Sequence, residues 1–414
     1  MYRLALSISI FLLALSLLPL GAVAQERLGV QGILDGSVTR SQLPAASLQN
    51  SDVRFSGQAT LLASLQLTSR LFAFYEGRLS HVEGLNHHDP VLRLTRTTGI
   101  LQGYIRYSTP LPSGLNLQAG KFGHPFGQFL MRNYADQNPL LGFPLMYSYR
   151  STIRSNALPR SAYDFLAWQW RPQNAQAGYG YGGGPAGGWL PLINFSYPTG
   201  VMAFGNVTHA DYRFALVNSS LANPLNPGRP GQQPQWVAGG GLTAGPRLRL
   251  GASYASGPYM DSSVRSRLPA GTEWSDFTQR ALGFDLQLTL RHLEFQGEAL
   301  FTNFAVPNIS QRLGATGYFL EIKHTISPRL FAAARWNQIY FDRFRSGFSN
   351  GLRPRFDYNR ESLELGFGFL LSESLLLKGS YQFHRTLSAF DPQDNVAGIQ
   401  LVYRFGVRRL LRVP

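Results

Sequence analysis

The sequence predicts an all-β fold: a transmembrane antiparallel β-barrel of about sixteen strands with one long loop folded inward. Three observations predict it. First, apolar residues alternate along the chain instead of clustering. In Gly398–Phe405, Ile399, Leu401, Tyr403 and Phe405 point one way, while Gln400, Val402 and Arg404 point the other. That is the form of a strand with lipid on one face and water on the other. Second, short turns and longer polar loops alternate strictly, as they must when the two rims of a membrane barrel differ. Third, no segment beyond the N-terminal leader approaches ~18 uninterrupted apolar residues, so no spanning helix is available. Gly (43), Phe (28) and Tyr (19) are abundant instead.

Residues 1–24 read as a secretory signal peptide. Arg3 supplies the positive start, Ser9 to Leu20 an apolar core, and Ala22-Val-Ala24 the small-residue cleavage site before Gln25. The apolar run is too short for a transmembrane anchor. The chain has no cysteine. This excludes a disulfide scaffold, a lipoprotein, thiol chemistry and thiolate metal sites. Residues 25–405 form the expected barrel, and 406–414 a basic tail carrying Arg408, Arg409 and Arg412.

The first strand is expected at 27–39, followed by a loop at 40–52. Strands 53–67 and 71–80 meet at the turn Thr68-Ser-Arg70, and loop 81–97 follows. Strand 98–108 reaches strand 115–123 through Pro110-Leu-Pro-Ser-Gly114. Residues 124–198 are one long excursion, the third long loop. Strands 199–208 and 211–217 join around His209-Ala210, and a loop at 218–234 rich in Pro, Gly and Asn comes next. Strands 235–243 and 246–257 meet at Ala244-Gly-Pro246; loop 258–279 follows; strands 280–290 and 293–301 meet at Arg291-His292. After loop 302–313, strands 314–324 and 329–341 join at Thr325-Ile-Ser-Pro328. The basic loop 342–358 leads to strands 359–370 and 375–385, joined at Leu371-Ser-Glu-Ser374, and loop 386–395 leads to strand 396–405. Sixteen is even, as in bacterial single-chain barrels, and both termini fall in the periplasm. The stretch 188–210 leaves room for an extra pair, which would make eighteen.

Parity sorts the side chains. Leu282, Phe284, Leu286, Leu288 and Leu290 face lipid, as do Leu293, Phe295, Ala299 and Phe301, then Leu363, Leu365, Phe367 and Phe369, then Leu375, Leu377, Tyr381 and Phe383. Arg54, Arg78, Arg106, Arg213, Arg247, Arg249, Lys323, Arg335, Lys378 and Arg404 face inward, against the acids Glu76, Asp211, Asp285, Glu294, Glu298, Glu321 and Glu364. A cation on the lipid face at midplane costs roughly 2–4 kcal/mol, so one-sided charge is a physical requirement. Lys121 departs from this pattern. It shares the parity of Leu115, Leu117 and Ala119, so it either snorkels to headgroups or follows a bulge. A charged interior implies water, whereas a small soluble barrel fills with apolar side chains.

The excursion 124–198 is far longer than a surface loop needs to be. It carries Arg132, Arg150, Arg154, Arg160 and Arg171 against Asp136 and Asp164, with Tyr134, Phe143, Tyr147, Tyr149, Tyr163, Phe165, Trp168 and Trp170 among them. That mix suits a loop folded into the lumen, where rings of Arg or Lys favour anions. A surface loop or plug is the plainer alternative. The formal charge of +15 points to an anionic partner. Nucleic acid is excluded for an exported chain whose basic residues are dispersed. The constriction and pore-lining candidates are Arg132, Arg150, Arg154, Arg160, Arg78, Arg106, Arg213, Arg335 and Lys378.

Gln118-Ala-Gly-Lys-Phe-Gly-His-Pro-Phe-Gly127 ends a strand and opens the third long loop. It resembles the corresponding stretch of Gram-negative porins of the phosphate-selective porin O/P type. The closing strand Gly398–Phe405 resembles the C-terminal assembly signal of outer-membrane barrels. The resemblance implies a sixteen-stranded outer-membrane barrel, a homotrimer, an inward third loop, an anion-conducting pore, and contact with outer-membrane lipid, lipopolysaccharide and the barrel-assembly machinery. Beyond Lys121 the excursion uses arginine, and no lysine-rich constriction is visible. The chain also runs nine residues past its last aromatic, Phe405.

Other chemistry is weakly supported. His87-His88-Asp89 reads as a solvated turn rather than a metal or acid–base site. His209 and Asp211 have no nucleophile motif nearby. Gly178-Tyr-Gly-Tyr-Gly-Gly-Gly184 lacks the Lys-Ser/Thr of a phosphate loop. No enzyme activity, catalytic residue, metal or cofactor is expected. The reading is passive diffusion of small hydrophilic solutes with anion preference. A channel dedicated to one anionic nutrient such as phosphate, and a non-conducting barrel serving as adhesin, enzyme or structural protein, remain as alternatives.

Overall fold

The computed structural model describes residues 28–41, 52–85, 95–111, 114–170, 189–195, 197–218, 220–223, 234–345, 348, 351–388, 391 and 395–406. The leader 1–24, the tail beyond Gly406, His87-His88-Asp89, Arg171 and the glycine-rich run 178–184 lie outside them.

The strands are β1 (Leu28–Ser41), β2 (Asp52–Gln66), β3 (Leu71–Leu85), β4 (Thr95–Ser108), β5 (Asn116–Lys121), β6 (Thr199–Val207), β7 (Ala210–Val217), β8 (Gln235–Ala244), β9 (Leu248–Pro258), β10 (Thr278–Leu290), β11 (Leu293–Phe304), β12 (Leu313–Ser327), β13 (Leu330–Phe341), β14 (Arg360–Leu370), β15 (Leu375–Thr386) and β16 (Val396–Gly406). Each pairs antiparallel with its sequence neighbours, and β1 pairs with β16 from Gln31↔Gly406 to Ser41↔Val396, closing the barrel. Closure leaves no edge whose backbone groups would face hydrocarbon unpaired. The described residues give sixteen strands, and 189–207 holds only β6. No helix among them is long and apolar enough to cross a membrane.

Lipid-side parity holds. Leu282, Phe284, Leu290, Phe301, Leu363, Leu365, Phe367, Phe369 and Phe383 are exposed on the outside, while Asp285, Glu298, Glu364 and Lys378 are buried on the inside. The short turns and both ends of the barrel share one rim, which is the periplasmic rim of such barrels; the long connections share the other. Two hairpins are two-residue turns with positive φ at the first position, Thr208 (53°) and Arg291 (52°), which fits the right-handed strand twist. The β6–β7 turn is therefore Thr208-His209, one residue earlier than the alternation suggests.

Two departures concern the third loop. β5 ends at Lys121, two residues earlier than the alternation suggests, and one further bond, from Phe122 N–H to the Pro198 carbonyl (3.0 Å), closes the base of the excursion. Lys121 points its ammonium at the Ile100 carbonyl (2.5 Å), beside the bulge where β3 and β4 shift register between Glu76 and Gly77. The wall holds this charge at a backbone oxygen that the bulge leaves available.

An outward charge in the middle of a strand should not be tolerated. Phe284→Arg at the centre of β10 is expected to cost roughly 2–4 kcal/mol relative to Phe284→Leu. Urea titration of folding into lipid vesicles measures it.

Candidate functional site

The candidate site is where the excursion between β5 and β6 meets the inner wall. From His124 to Gly142 it touches the wall almost all the way round. His124 Nε2 pairs with Gln235 Oε1 on β8 (2.7 Å). Arg213 on β7 donates to the carbonyls of Pro125 (2.7 Å) and Gly127 (3.2 Å). Gly127 has φ of +66°, and a Cβ there would stand 3.0 Å from Glu298 Oε1, so both the turn and the close approach require glycine.

Glu298 of β11 is the first anchor. Its carboxylate accepts from Gln128 N–H (2.5 Å), Phe129 N–H (2.6 Å) and the Tyr147 hydroxyl (2.5 Å). Arg132 then reaches Gln296 on β11 and Glu321 on β12 (3.1 Å). On the opposite wall, the Tyr134 hydroxyl donates to Glu76 of β3 (2.7 Å), which also pairs with Arg78 (3.2 Å). Lys378 of β15 spends its three N–H groups on the carbonyls of Ala135 (2.7 Å), Asn138 (3.0 Å) and Leu140 (3.4 Å). Glu364 of β14 accepts from Leu141 N–H (3.2 Å) and Gly142 N–H (2.8 Å).

Arg335 of β13 ties these together. Its five N–H groups make five bonds: two to Glu321 (2.8 and 2.5 Å) and one each to Glu364 (3.3 Å), the Gly142 carbonyl (2.7 Å) and Asn138 Oδ1 (2.8 Å). The guanidinium also lies over the Phe129 ring at 5.2 Å. Charge-assisted bonds of this kind are about twice as strong as neutral ones, and the low dielectric strengthens them further.

Beyond Gly142 the excursion builds an outer layer. Tyr149 Oη and Thr152 N–H donate to Asp357 (2.9 and 2.6 Å) in the β13–β14 connection. A short helix, Ala162–Ala167, is capped by Ser161, whose hydroxyl accepts from Asp164 N–H. Its Phe165 is buried among Trp168, Phe344 and Phe356. Arg154 lies over Trp189 (4.5 Å) and Trp168 (5.4 Å).

The sequence candidates therefore separate into groups. Arg335 and Lys378 are 0 % and 1 % exposed. They face inward as parity requires, but the loop covers them, so they are clamps rather than water-facing charges. Arg78, Arg132 and Arg213 also touch the loop or its anchors. Arg150 and Arg154 lie half-buried in the outer layer, where loss of hydration lowers both pKa values. Arg160 is exposed, its N–H on Asp164 (2.8 Å). Arg106 stands apart from the loop, lower on the wall. Sequence reasoning placed Glu76, Glu298, Glu321 and Glu364 in the wall but missed their role as seats for loop donors. The signal available was four inward acids lying mid-strand, more than a water-filled wall needs. No cluster of three or more metal-ligating side chains occurs among the described residues.

No protein-family model and no curated protein sequence matches this chain. Solved structures do. An anion-selective porin from Comamonas acidovorans is similar over 92 % of this chain and 99 % of its own, with 12 % identity and a TM-score of 0.55. The outer-membrane channel DcaP of Acinetobacter baumannii matches over 91 % and 97 %, with 11 % identity and a TM-score of 0.53. The trimer form of OmpT, an outer-membrane protein of Vibrio cholerae, matches over 91 % and 99 %, with 9 % identity and a TM-score of 0.50. At such identities the likeness is one of fold: this chain has the outer-membrane porin barrel.

Glu298→Ala strands two loop N–H groups and the Tyr147 hydroxyl. A loss of about 1–3 kcal/mol per stranded group loosens the crossing, and proteolysis of the folded barrel should then cut within 122–142 faster than in the native protein. Burial holds the His124 pKa down, from 6.5 to about 4. The unfolded chain takes up this proton near pH 6.5 and the native one only near pH 4, so acidification through that window destabilises the fold. In His124→Gln the corresponding slope of stability against pH should flatten, as read by thermal unfolding from pH 7 to pH 4.

Proposed function

We propose that the protein is a porin of the Gram-negative outer membrane, passing small hydrophilic solutes by passive diffusion beside its inward loop and preferring anions. The carrying observation is the unequal fate of the two signs of charge. The inward carboxylates Glu76, Glu298, Glu321, Glu364, Asp211 and Asp285 are all engaged. Four seat the loop or its clamp, and Arg249 holds Asp285 and Asp211 (2.8 Å to the latter). At the long-loop rim Arg385 pairs with Glu361 (3.4 Å), but five other arginines there bond neutral oxygens. Arg343 donates to the Arg353 carbonyl (2.9 Å), Arg355 to Phe341 (2.6 Å), Arg267 to Asn156 (3.3 Å), Arg312 to Thr278 (2.6 Å), and Arg154 to Asn156 Oδ1 (3.3 Å). Their positive charge is not cancelled by those bonds, and an arginine-rich mouth concentrates anions by electrostatic focusing.

The likeness to an anion-selective porin supports the same reading, and the trimeric neighbour supports a homotrimer. The closing strand β16, with Tyr403 and Phe405 on its lipid face, is the surface offered to the barrel-assembly machinery.

Planar-bilayer conductance with reversal potentials across a KCl gradient tests this. Cl⁻ should be favoured over K⁺. The preference should be larger near 0.1 M salt, where screening extends over ~10 Å, than at 1 M, where it extends over ~3 Å. The double substitution Arg343→Glu and Arg355→Glu should lower it. A K⁺ preference overturns the charge argument, and a folded barrel that passes no current overturns the pore.

A further inference from the structure

Below the loop crossing, on the periplasmic half of the lumen, Arg106 of β4 lies among three rings from three strands. Its guanidinium is 5.4 Å from the Phe72 centroid on β3, 5.5 Å from Tyr104 on β4 and 5.1 Å from Phe204 on β6. Phe74 extends the surface, stacked on Tyr104 at 5.2 Å and 28°. The outward neighbours Ile105 and Tyr107 are exposed to lipid, so Tyr104 and Arg106 point into the barrel. Phe72, Phe74, Tyr104, Arg106 and Phe204 all keep part of their surface exposed. Nearby inward positions include the polar Asn116, Gln118, Asp211 and Arg213, and Met202, which with Tyr104 packs against the barrel's hydrophobic cluster. Phe72, Phe74 and Phe204 stand outside that cluster, and their partly exposed rings carry a hydration cost.

The guanidinium is also incompletely used. Nε and Nη2 donate to Gln118 Oε1 (3.2 Å each), and Nη2 also to the Tyr104 hydroxyl (3.2 Å). Nη1 makes no hydrogen bond to the described residues, and no described carboxylate pairs with the group. Arg335, with five bonds for its five N–H groups, shows how this barrel treats a structural arginine.

Building on the porin reading, we infer that the Arg106 platform is a binding site for small planar aromatic carboxylates on their way through the lumen. Nη1 offers an N–H to the carboxylate, a charge-assisted contact. The rings of Phe72 and Phe204 offer the adjoining stacking surface. A saturated carboxylate of equal size would find the charge but not the ring partner.

Calorimetry of the detergent-folded protein with benzoate, cyclohexanecarboxylate and acetate tests this without requiring ion flow. Benzoate should bind more tightly than cyclohexanecarboxylate, and acetate least. Arg106→Gln should weaken benzoate roughly ten- to a hundredfold, the loss expected for one charge-assisted contact. Phe204→Leu should bring benzoate and cyclohexanecarboxylate together, which keeps the proposal testable if Arg106→Gln does not fold. Equal binding of the three acids to the native protein, or unchanged benzoate binding in folded Arg106→Gln, would overturn the site. KCl conductance measured in parallel separates the two ideas. Conductance without benzoate selectivity removes the site and leaves the pore; selective binding without conductance removes the pore and leaves the site.

Discussion

A guanidinium sealed from water has to find an acceptor for every N–H, and at Arg335 that requirement fixes the interior of the barrel. Its five bonds join β12, β14 and the loop at Asn138 and Gly142. Removing Glu321, which takes two of those bonds, would leave much of a buried charge uncompensated, a loss of the order of 3–5 kcal/mol. The position of the crossing is thus over-determined. Glu321 also holds Arg132, Glu364 also holds the Leu141 and Gly142 amides, and Lys378 takes three carbonyls on the far side of Asn138. A chain segment held this way behaves as part of the wall.

The lipid makes this arrangement accessible. Because charges cannot sit on the outer face near midplane, every ionisable residue of the central strand turns is driven inward. A closed wall lined with charge must then either be hydrated or be covered by something carrying complementary groups. The chain does both. On the β11–β15 side the excursion supplies backbone amides, carbonyls and Arg132 to the wall's carboxylates, lysine and arginine. Toward the long-loop rim an apolar layer including Tyr147, Phe165, Phe304 and Phe341 packs against the crossing. Around Arg106 the wall stays open to water.

This division has a consequence for charge. Seating the loop uses both signs: Glu298 and Glu364 accept its N–H groups, while Arg213, Arg335 and Lys378 donate to its carbonyls. The arginines left over bind carbonyl oxygens, which orient the side chain without neutralising it.

The barrel was legible in the sequence to within a few residues. Side-chain parity has a period of two, and the membrane penalises every error of parity, so strands such as 280–290 and 293–301 could be bounded from alternation alone. The inward placement of Arg335, Lys378 and Glu298 followed from the same rule. What they do there did not follow. Parity tells which way a side chain points, never what it meets, and the partners of these three lie far away in sequence, in a segment without periodicity. Seating the loop depends on Gly127 turning beside Glu298, and on Asn138 and Gly142 arriving together at Arg335. Those meetings exist only once sixteen strands have closed and brought β3, β11, β13 and β15 around one lumen. The sequence by itself therefore determined the wall and its sidedness, because those are set by local alternation against a uniform solvent. Tertiary structure alone decided which charges are clamps and which remain available to a solute, because that depends on long-range contacts that only closure creates.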